Sequence, residues 1–263
     1  MHEPIAVPAL FLGCLVGAVE AVNAERERTG WEIDALLGVE SEPAYAGSDV
    51  YEAELDGELS ATYRAANGNE YFIGLGELGT RVPFGSDWIF SALLEYEEGR
   101  DNADDPILRG FRTVDDTVEA QIGLVRTLGS WSLGAVFQPD VLRRGKGLVY
   151  FVGIGHERRL FERVRLRSTW DVSWGDAEHM DTEFGVNADE SRASGLAEYR
   201  PASGLKSTTL AFQTFLPLVF GGELVLGLEL ENYLGAAADS PLIEDAGSAV
   251  TYEAGVGIAF ELL

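Results

Sequence analysis

The chain has 263 residues, and its 44 acidic side chains outnumber its 19 lysine and arginine side chains, which gives a formal net charge of −25. This balance excludes a general nucleic-acid-binding protein, because phosphate binding requires a concentrated basic surface. The length suits one large β domain or two ordinary domains.

The first segment has the pattern of an export signal. An apolar run covers residues 5–19, and "VNA", ending at Ala24, is a small-x-small site of the kind that signal peptidase cuts. No lysine or arginine precedes the apolar run, so a plain N-terminal helix remains an alternative. We predict a cleaved signal over residues 1–24 and a single mature domain over 25–263.

The chain has one cysteine, Cys14, within the predicted signal. Its context "FLGC" leaves a lipoprotein as a second alternative, although Phe11 fits poorly at the head of a lipobox. If the signal is removed, the mature chain has no thiol for a disulfide, a thiolate metal site or a nucleophile.

After the signal the sequence consists of short alternating stretches separated by Gly, Asp, Asn and Pro clusters, which is typical of β-strands. No stretch with a helical period competes with them. Twelve strands are predicted, at 31–40, 51–64, 69–77, 87–97, 116–127, 130–138, 147–156, 163–174, 191–200, 205–216, 222–233 and 250–262.

The stretch 222–233 shows the alternation most clearly. Leucines occupy 224, 226, 228 and 230, whereas Glu229 and Glu231 lie on the other parity. A period of two predicts a strand with one apolar and one polar face. A soluble sandwich would turn the leucines inward, and a membrane barrel would turn them outward to lipid.

Strand length and aromatic placement favour the barrel. The predicted strands have roughly ten residues, the length that a tilted strand needs to cross a bilayer. Aromatic side chains lie near the ends of the apolar faces, as in the girdles of outer-membrane barrels. We therefore predict an all-β fold, a single transmembrane antiparallel β-barrel of about 12 strands in the outer membrane of a Gram-negative cell. Ten strands are possible, and a secreted sandwich is the alternative.

The connections between the predicted strands disagree with this picture. Outer-membrane barrels alternate short periplasmic turns with long outer loops. The longest connections, near 98–115, 175–190 and 235–249, do not share one parity when twelve strands are counted. Either one strand is misassigned or some periplasmic connections are long.

The polar faces predict the residues that line the lumen. The face of 51–64 carries Glu52, Glu54, Asp56 and Glu58, and the face of 163–174 carries Arg163, Arg165 and Arg167. We expect Glu229 and Glu231 to line the lumen as well. The acidic and basic ladders are either neutralised by adjacent strands or water, or they face each other and create a field across the lumen.

No catalytic, cofactor or metal signature is present. Only His156 and His179 remain after the signal, and neither has carboxylates at ligand spacing. The acidic loop "EEGRDNADDP" lacks the ligand spacing of a calcium loop. We expect a non-enzymatic protein without a cofactor.

Several motifs in order along the chain resemble one family. They are "PAYAGS" at 43–48, "EGRDNADDPILRGF" at 98–111, "TWDVSWGDAEHM" at 169–180 and "NYLGAAADSP" at 232–241. Together they resemble the MltA-interacting protein / OmpV family of outer-membrane proteins.

The resemblance implies an outer-membrane barrel, in contact with lipid, that acts as a scaffold for murein-processing enzymes, namely a lytic transglycosylase and a murein synthase. It implies no catalytic residues. The competing function is a narrow channel, a porin-like pore for small solutes.

Overall fold

The computed structural model of the protein describes residues 29–102, 105–161, 163–219 and 221–263. The predicted signal over residues 1–24 lies outside these ranges, as does Cys14. The described part of the chain forms one β-barrel, and the predicted start of the mature domain at residue 25 lies outside it.

Twelve antiparallel strands form a closed barrel within the described residues, in which each strand pairs with its neighbours along the chain and β1 pairs with β12. This confirms the predicted architecture. The strands are β1 (Gly30–Pro43), β2 (Tyr51–Arg64), β3 (Glu70–Gly74), β4 (Glu77–Phe84), β5 (Trp88–Glu97), β6 (Thr117–Leu128), β7 (Trp131–Pro139), β8 (Leu148–Leu160), β9 (Val164–Gly175), β10 (Gly204–Pro217), β11 (Glu223–Tyr233) and β12 (Val250–Glu261).

The alternation in β11 shows which face of the barrel wall points to lipid and which points to the lumen. Leu226, Leu228 and Leu230 are exposed on the outside, whereas Glu223 and Val225 on the other parity are buried inside the barrel. The apolar parity therefore faces lipid, as expected for a membrane barrel with a polar lumen.

Two strand predictions were wrong, and the errors cancel in the count. Residues 191–200 form no strand, since a helix covers their first half. The strand β4 was missed, because Gly79 and Pro83 interrupt the alternation and both residue types are rare in strand interiors.

With the strands assigned correctly, the connections separate by length. The segments 44–50, 98–116, 140–147, 176–203 and 234–249 all lie at one end of the barrel. The turns 65–69, 85–87, 129–130, 161–163 and 218–222 lie at the other, together with the start of β1 and the end of β12. The parity conflict came from the misassigned strands, and the long connections occupy the end that outer-membrane barrels turn outward.

The long connections contain the helices of the described chain: α1 (Ala177–Phe184), α2 (Ala188–Ser194), α3 (Gly235–Ala238) and α4 (Pro241–Glu244), with a 3₁₀ turn at Pro106–Leu108. The helix α2 begins with a capping box, in which Asn187 and Glu190 satisfy each other's backbone N–H groups. Within the described ranges no helix is long and apolar enough to span a membrane.

The wall is lower at one place. The strand β2 pairs with β1 over fourteen residues but with β3 only from Ser60 to Arg64. The β3–β4 hairpin is short, so its turn at 75–76 lies partway up the wall. Beside it, the half of β2 nearer the long connections has a strand neighbour on one side only in the described structure.

Candidate functional site: the barrel lumen and its loop cap

The lumen-lining residues predicted from the sequence lie in three strands and one turn. Alternation in β2 places the parity of Glu52, Glu54, Asp56 and Glu58 inside, in step with the buried Ser60. The polar parities of β9 and β11 likewise place Arg165, Arg167, Glu229 and Glu231 inside. Arg163 differs, since it is exposed in the turn between β8 and β9.

A band of arginines lies inside the barrel near the short turns. Its members, Arg64, Arg81, Arg165 and Arg167, are called the arginine band. Arg64 donates to Glu70 at 2.9 Å and Arg165 donates to Glu223 at 2.7 Å.

Arg167 lies 3.4 Å from Glu157 and 3.2 Å from the amide oxygen of Gln213, on the strands beside its own. Its guanidinium and that of Arg165 also lie over the Phe215 ring. These contacts run along the wall. They correspond to the first alternative for the basic ladder, neutralisation by nearby strands.

The acidic side chains of the lumen are arranged differently, because the strand register places carboxylates opposite carboxylates. Glu40 of β1 is opposite Glu54 of β2, and Glu229 of β11 is opposite Glu253 of β12. Like charges directly opposite each other destabilise a sheet.

Three further pairings extend the pattern. Glu42 is opposite Glu52, and a second row crosses three strands through Glu77, Glu95 and Glu119. All these pairs together are called the acidic rows. They line the lumen beyond the arginine band with closely spaced carboxyl groups.

The long connections pack together into a compact structure over one end of the barrel, called the loop cap. One cluster joins four connections through side chains that are nearly inaccessible to solvent: Tyr45, Leu108, Phe111, Val186 and Leu242. A second cluster continues it: Met180, Phe184, Tyr233, Ala237 and Ile243. Burial of these side chains gives the cap a hydrophobic core of its own.

Glycine is required at one point of this core. Gly47 has φ +85°, and a Cβ there would lie 2.6 Å from the Ile243 side chain. A side chain at this position would therefore both strain the backbone and collide with the second cluster. The first motif of the chain, at 43–48, serves this packing.

Side-chain hydrogen bonds tie the connections to one another. The Ser240 hydroxyl donates to the Phe184 carbonyl at 2.7 Å, and the Leu242 N–H donates to the same hydroxyl. The Tyr199 hydroxyl donates to the Ala236 carbonyl at 2.7 Å. The two bonds of Ser240 are buried, and such bonds fix a single arrangement, because breaking one leaves a desolvated polar group.

A cavity of about 320 Å³ lies beneath the cap, at the top of the lumen. Carboxylates from strands β5 and β6, Glu97 and Glu119, contribute to its lining, and cap residues contribute much of the rest. The two lysines of the chain, Lys146 and Lys206, both line it. The lumen is therefore not completely filled by side chains at this level.

The cationic side chains that line this cavity have partners. Lys146 lies 3.2 Å from Glu97, and Lys206 lies 3.5 Å from Glu231. Arg100 donates to the carbonyls of Thr182 and Glu183. These contacts hold the cap against the barrel rim by ionic and hydrogen-bonding interactions.

Two titratable groups of the cap have shifted pKa values. Burial raises the pKa of the Glu183 carboxyl, but Arg100 and the other cations nearby together lower it by a larger amount, so that the net shift is downward. Burial and then Lys206 lower the pKa of His179. The His179 Nδ1 lies 2.9 Å from the Lys146 carbonyl, which can only accept, so Nδ1 carries the proton of a neutral ring.

The surroundings of the two histidines contain few candidate metal ligands in the described part of the chain. No group of three or more His, Cys, Asp or Glu residues is placed to hold a metal among the residues that the structure describes. His156 packs against Trp131 instead, with ring centroids 4.4 Å apart at the short-turn end of the wall.

The barrel and its loop cap match one protein family along most of the chain. A family model described as "MltA-interacting protein MipA" matches residues 36–262. The chain belongs to the MipA family. The MipA-family chain is accordingly an outer-membrane barrel. A separate comparison with curated proteins gives no match.

Three solved structures that are similar to this MipA-family barrel have low sequence identity to it. The NanC porin is 10% identical, with a TM-score of 0.46, and the match covers 88% of this chain and 100% of that one. The translocator domain of the autotransporter NalP from Neisseria meningitidis is 10% identical, with a TM-score of 0.45 and coverage of 94% and 92%. OmpT of Vibrio cholerae is 8% identical, with a TM-score of 0.40 and coverage of 88% and 97%.

The sequence did not predict the cap or the cavity beneath it. One signal was available: the chain has only two lysines, and both line the cavity. A second was the Asn187-x-x-Glu190 pattern, a capping box that marks a helix start within the region assigned to a loop and a strand.

Proposed function

We propose that this protein is a non-enzymatic outer-membrane channel whose lumen favours small cations and whose loop cap restricts entry. The observation that supports this most is the set of acidic rows, in which the register places Glu40 opposite Glu54 and Glu229 opposite Glu253. The repulsion between opposite carboxylates costs stability, and mobile cations in the lumen would offset this cost.

The dimensions support the same function. Eight strands leave an interior filled by side chains and sixteen leave an open channel, so twelve give a narrow lumen. The cavity beneath the cap is space of this kind. The arginine band is neutralised by its own carboxylate partners, so it adds little net positive charge to the path.

Reversal potentials across planar bilayers under a salt gradient would test this function. The variant Glu40→Gln/Glu229→Gln/Glu253→Gln replaces three lumenal carboxyl groups by neutral amides and should move the channel toward non-selectivity, since carboxylate rings determine cation preference. The control Glu198→Gln/Glu244→Gln/Asp245→Asn makes the same charge change on the surface of the cap. Equal selectivity in both variants, or no conductance from assembled wild-type protein, would refute the channel.

A second function is supported by family membership. We infer that the protein also acts as a scaffold for murein-processing enzymes, a lytic transglycosylase and a murein synthase, as the family description suggests for the first. A partner in the periplasm would contact the short turns, because the long connections lie at the opposite end.

The short-turn end has two exposed apolar side chains suited to such a contact. Phe161 is 91% exposed with φ +51°, an unusual conformation for a bulky residue, and Val219 is fully exposed in another turn. Cross-linking and pull-down of a lytic transglycosylase from intact envelopes should be weakened by Phe161→Ser/Val219→Ser. The matched control is Val141→Ser/Leu142→Ser, which alters exposed residues of the cap. Equal capture by both variants would argue against the scaffold contact at this end.

A further inference from the structure

The lowered part of the barrel wall has a sheet edge with no strand beside it among the described residues. Residues 51–57 form this edge, which is called the upper β2 edge. On one side β1 pairs with all of them, and on the other side the pairing of β2 with β3 begins only at Ser60. The chain thus presents a template for another strand.

This edge lies within the lipid-facing belt. Leu55 is 83% exposed on the outer parity, and Tyr51 stacks on Tyr252 with ring centroids 4.4 Å apart, at the level of the girdle nearest the cap. Backbone groups left without partners in hydrocarbon cost several kcal/mol each, so open sheet edges are strongly disfavoured there. An added strand would remove this cost.

The side chains of the edge specify what that strand would carry. Its lumenal parity has Glu52, Glu54 and Asp56, and β1 adds Glu42 and Glu40 directly opposite the first two. Its outer parity is apolar, with Ala53 and Leu55. The complementary strand therefore alternates basic side chains toward the lumen with apolar side chains toward lipid.

A second copy of this chain does not meet that requirement. Pairing one upper β2 edge with another would place carboxylates opposite carboxylates at each lumenal position, which destabilises a sheet. Charge complementarity instead selects a cationic partner, and the position near the cap makes the edge reachable from the outer leaflet.

We propose that the upper β2 edge binds an extended cationic amphipathic peptide segment, which adds to the barrel wall as an extra strand. The segment donates and accepts ladder hydrogen bonds along β2, and its basic side chains pair with Glu52, Glu54 and Asp56. Seven residues of edge span roughly 23 Å, enough for a peptide of about that many residues. This proposal does not depend on conduction or on scaffolding.

Binding can be measured by fluorescence anisotropy with protein in lipid nanodiscs and a labelled peptide of alternating lysine and valine, about seven residues long. Replacing the central valine by proline keeps the charge but removes a ladder donor, and it should weaken binding by about tenfold. The variant Glu52→Gln/Glu54→Gln/Asp56→Asn should weaken binding of the parent peptide by about tenfold or more at low salt. The control Glu95→Gln/Glu229→Gln/Glu253→Gln should bind as the wild type does.

Cross-linking locates the peptide. In a chain carrying Cys14→Ala, either Ala53→Cys or Ala61→Cys is introduced. Both alanines lie on the outer parity of β2. Ala61 is the control, because it has strand partners on both sides, Ile33 and Ile73. With copper–phenanthroline as the oxidant of the two thiols, a peptide with cysteine at its central apolar position should form a disulfide at least about tenfold faster with residue 53 than with residue 61, because binding raises the effective concentration of the two thiols.

Three outcomes would overturn the proposal. Equal affinity for the valine and proline peptides would show that no strand forms, and this comparison uses only the wild-type protein. Equal cross-linking at 53 and 61 would place the peptide elsewhere. Disulfide-linked dimers of the Ala53→Cys chain that exclude the peptide would show that a second copy covers the edge.

Discussion

Removal of the Ser240 hydroxyl should loosen the loop cap without affecting the barrel. This hydroxyl is fully buried, donates to the Phe184 carbonyl at 2.7 Å and accepts from the Leu242 N–H at 3.2 Å. It therefore caps α4 and also links it to the end of α1, 56 residues away in the sequence.

The structure gives a magnitude for Ser240→Ala. Loss of a helix N-cap costs about 1 kcal/mol, and leaving a buried carbonyl without its donor costs about 1–3 kcal/mol. The sum, about 2–4 kcal/mol, corresponds to cap opening that is about 30- to 1000-fold more frequent. The change should be local, because the strands retain their ladders.

Ser248→Ala is the matched control. The Ser248 hydroxyl also donates to a carbonyl and accepts a backbone N–H, but both groups belong to Val250 and the contact is exposed. Water can replace it, so we expect a change of at most about 0.5 kcal/mol.

Hydrogen exchange by mass spectrometry in lipid nanodiscs provides the assay. Peptides covering 176–194 and 234–249 should exchange faster in Ser240→Ala, whereas strand peptides should not change. The heat-dependent gel shift of a folded barrel should be retained in both variants. The same exchange rates in Ser240→Ala and Ser248→Ala would refute the reasoning, since burial is the main difference between the two hydroxyls.

Three further predictions concern charged groups. Arg165→Met should lower the free energy of unfolding by about 3–5 kcal/mol in urea titrations, because Glu223 is left buried without its cation; Arg163→Ser, at an exposed turn, should change it by less than about 0.5 kcal/mol. The folded pKa of Glu183 lies below its ordinary value of 4.5, so its contribution to cap stability is complete above pH 4.5 and is lost as the pH falls through the folded pKa. Hydrogen exchange in the cap should therefore accelerate below pH 4.5 in the wild type, and accelerate less in Glu183→Gln. The pKa of His179 is also lowered from its ordinary value of 6.5, so protonation of this ring favours the opened cap. Hydrogen exchange in the cap should already rise below about pH 6.5, and His179→Gln should lack this step in the same pH series.

The wall of the barrel could be predicted from the sequence because each strand carries its own signal. The alternation around Leu226 and Glu229 is local, and lipid on one side makes it regular. The prediction failed where that signal weakened, at β4, whose eight residues include Gly79 and Pro83. It also failed at 191–200, where a capping box at Asn187 had already marked a helix.

The cap could not be predicted in this way, because its contacts are not periodic. Tyr45, Leu108, Val186 and Leu242 come from four separate connections and meet only when the barrel brings their ends together. None of them lies in a long alternating pattern of apolar residues that would predict a strand. The family motifs fall in these segments, and Gly47 and Ser240 now have structural reasons for their presence.

The lumen contains some charge pairs that stabilise the barrel and others that do not. Where β2 meets β3, the register places Arg64 opposite Glu70, and the two side chains form an ion pair at 2.9 Å. Where β2 meets β1, the register places Glu54 opposite Glu40. Each such acidic pair costs about 0.2–1 kcal/mol relative to a neutral pair, and an arginine at either position would remove the cost. Residues that break a local rule without a structural gain are expected at functional sites. The repulsion within the acidic rows does not help to close the barrel, so the property they provide is negative charge itself, available to whatever cation enters the lumen or lies along its open edge.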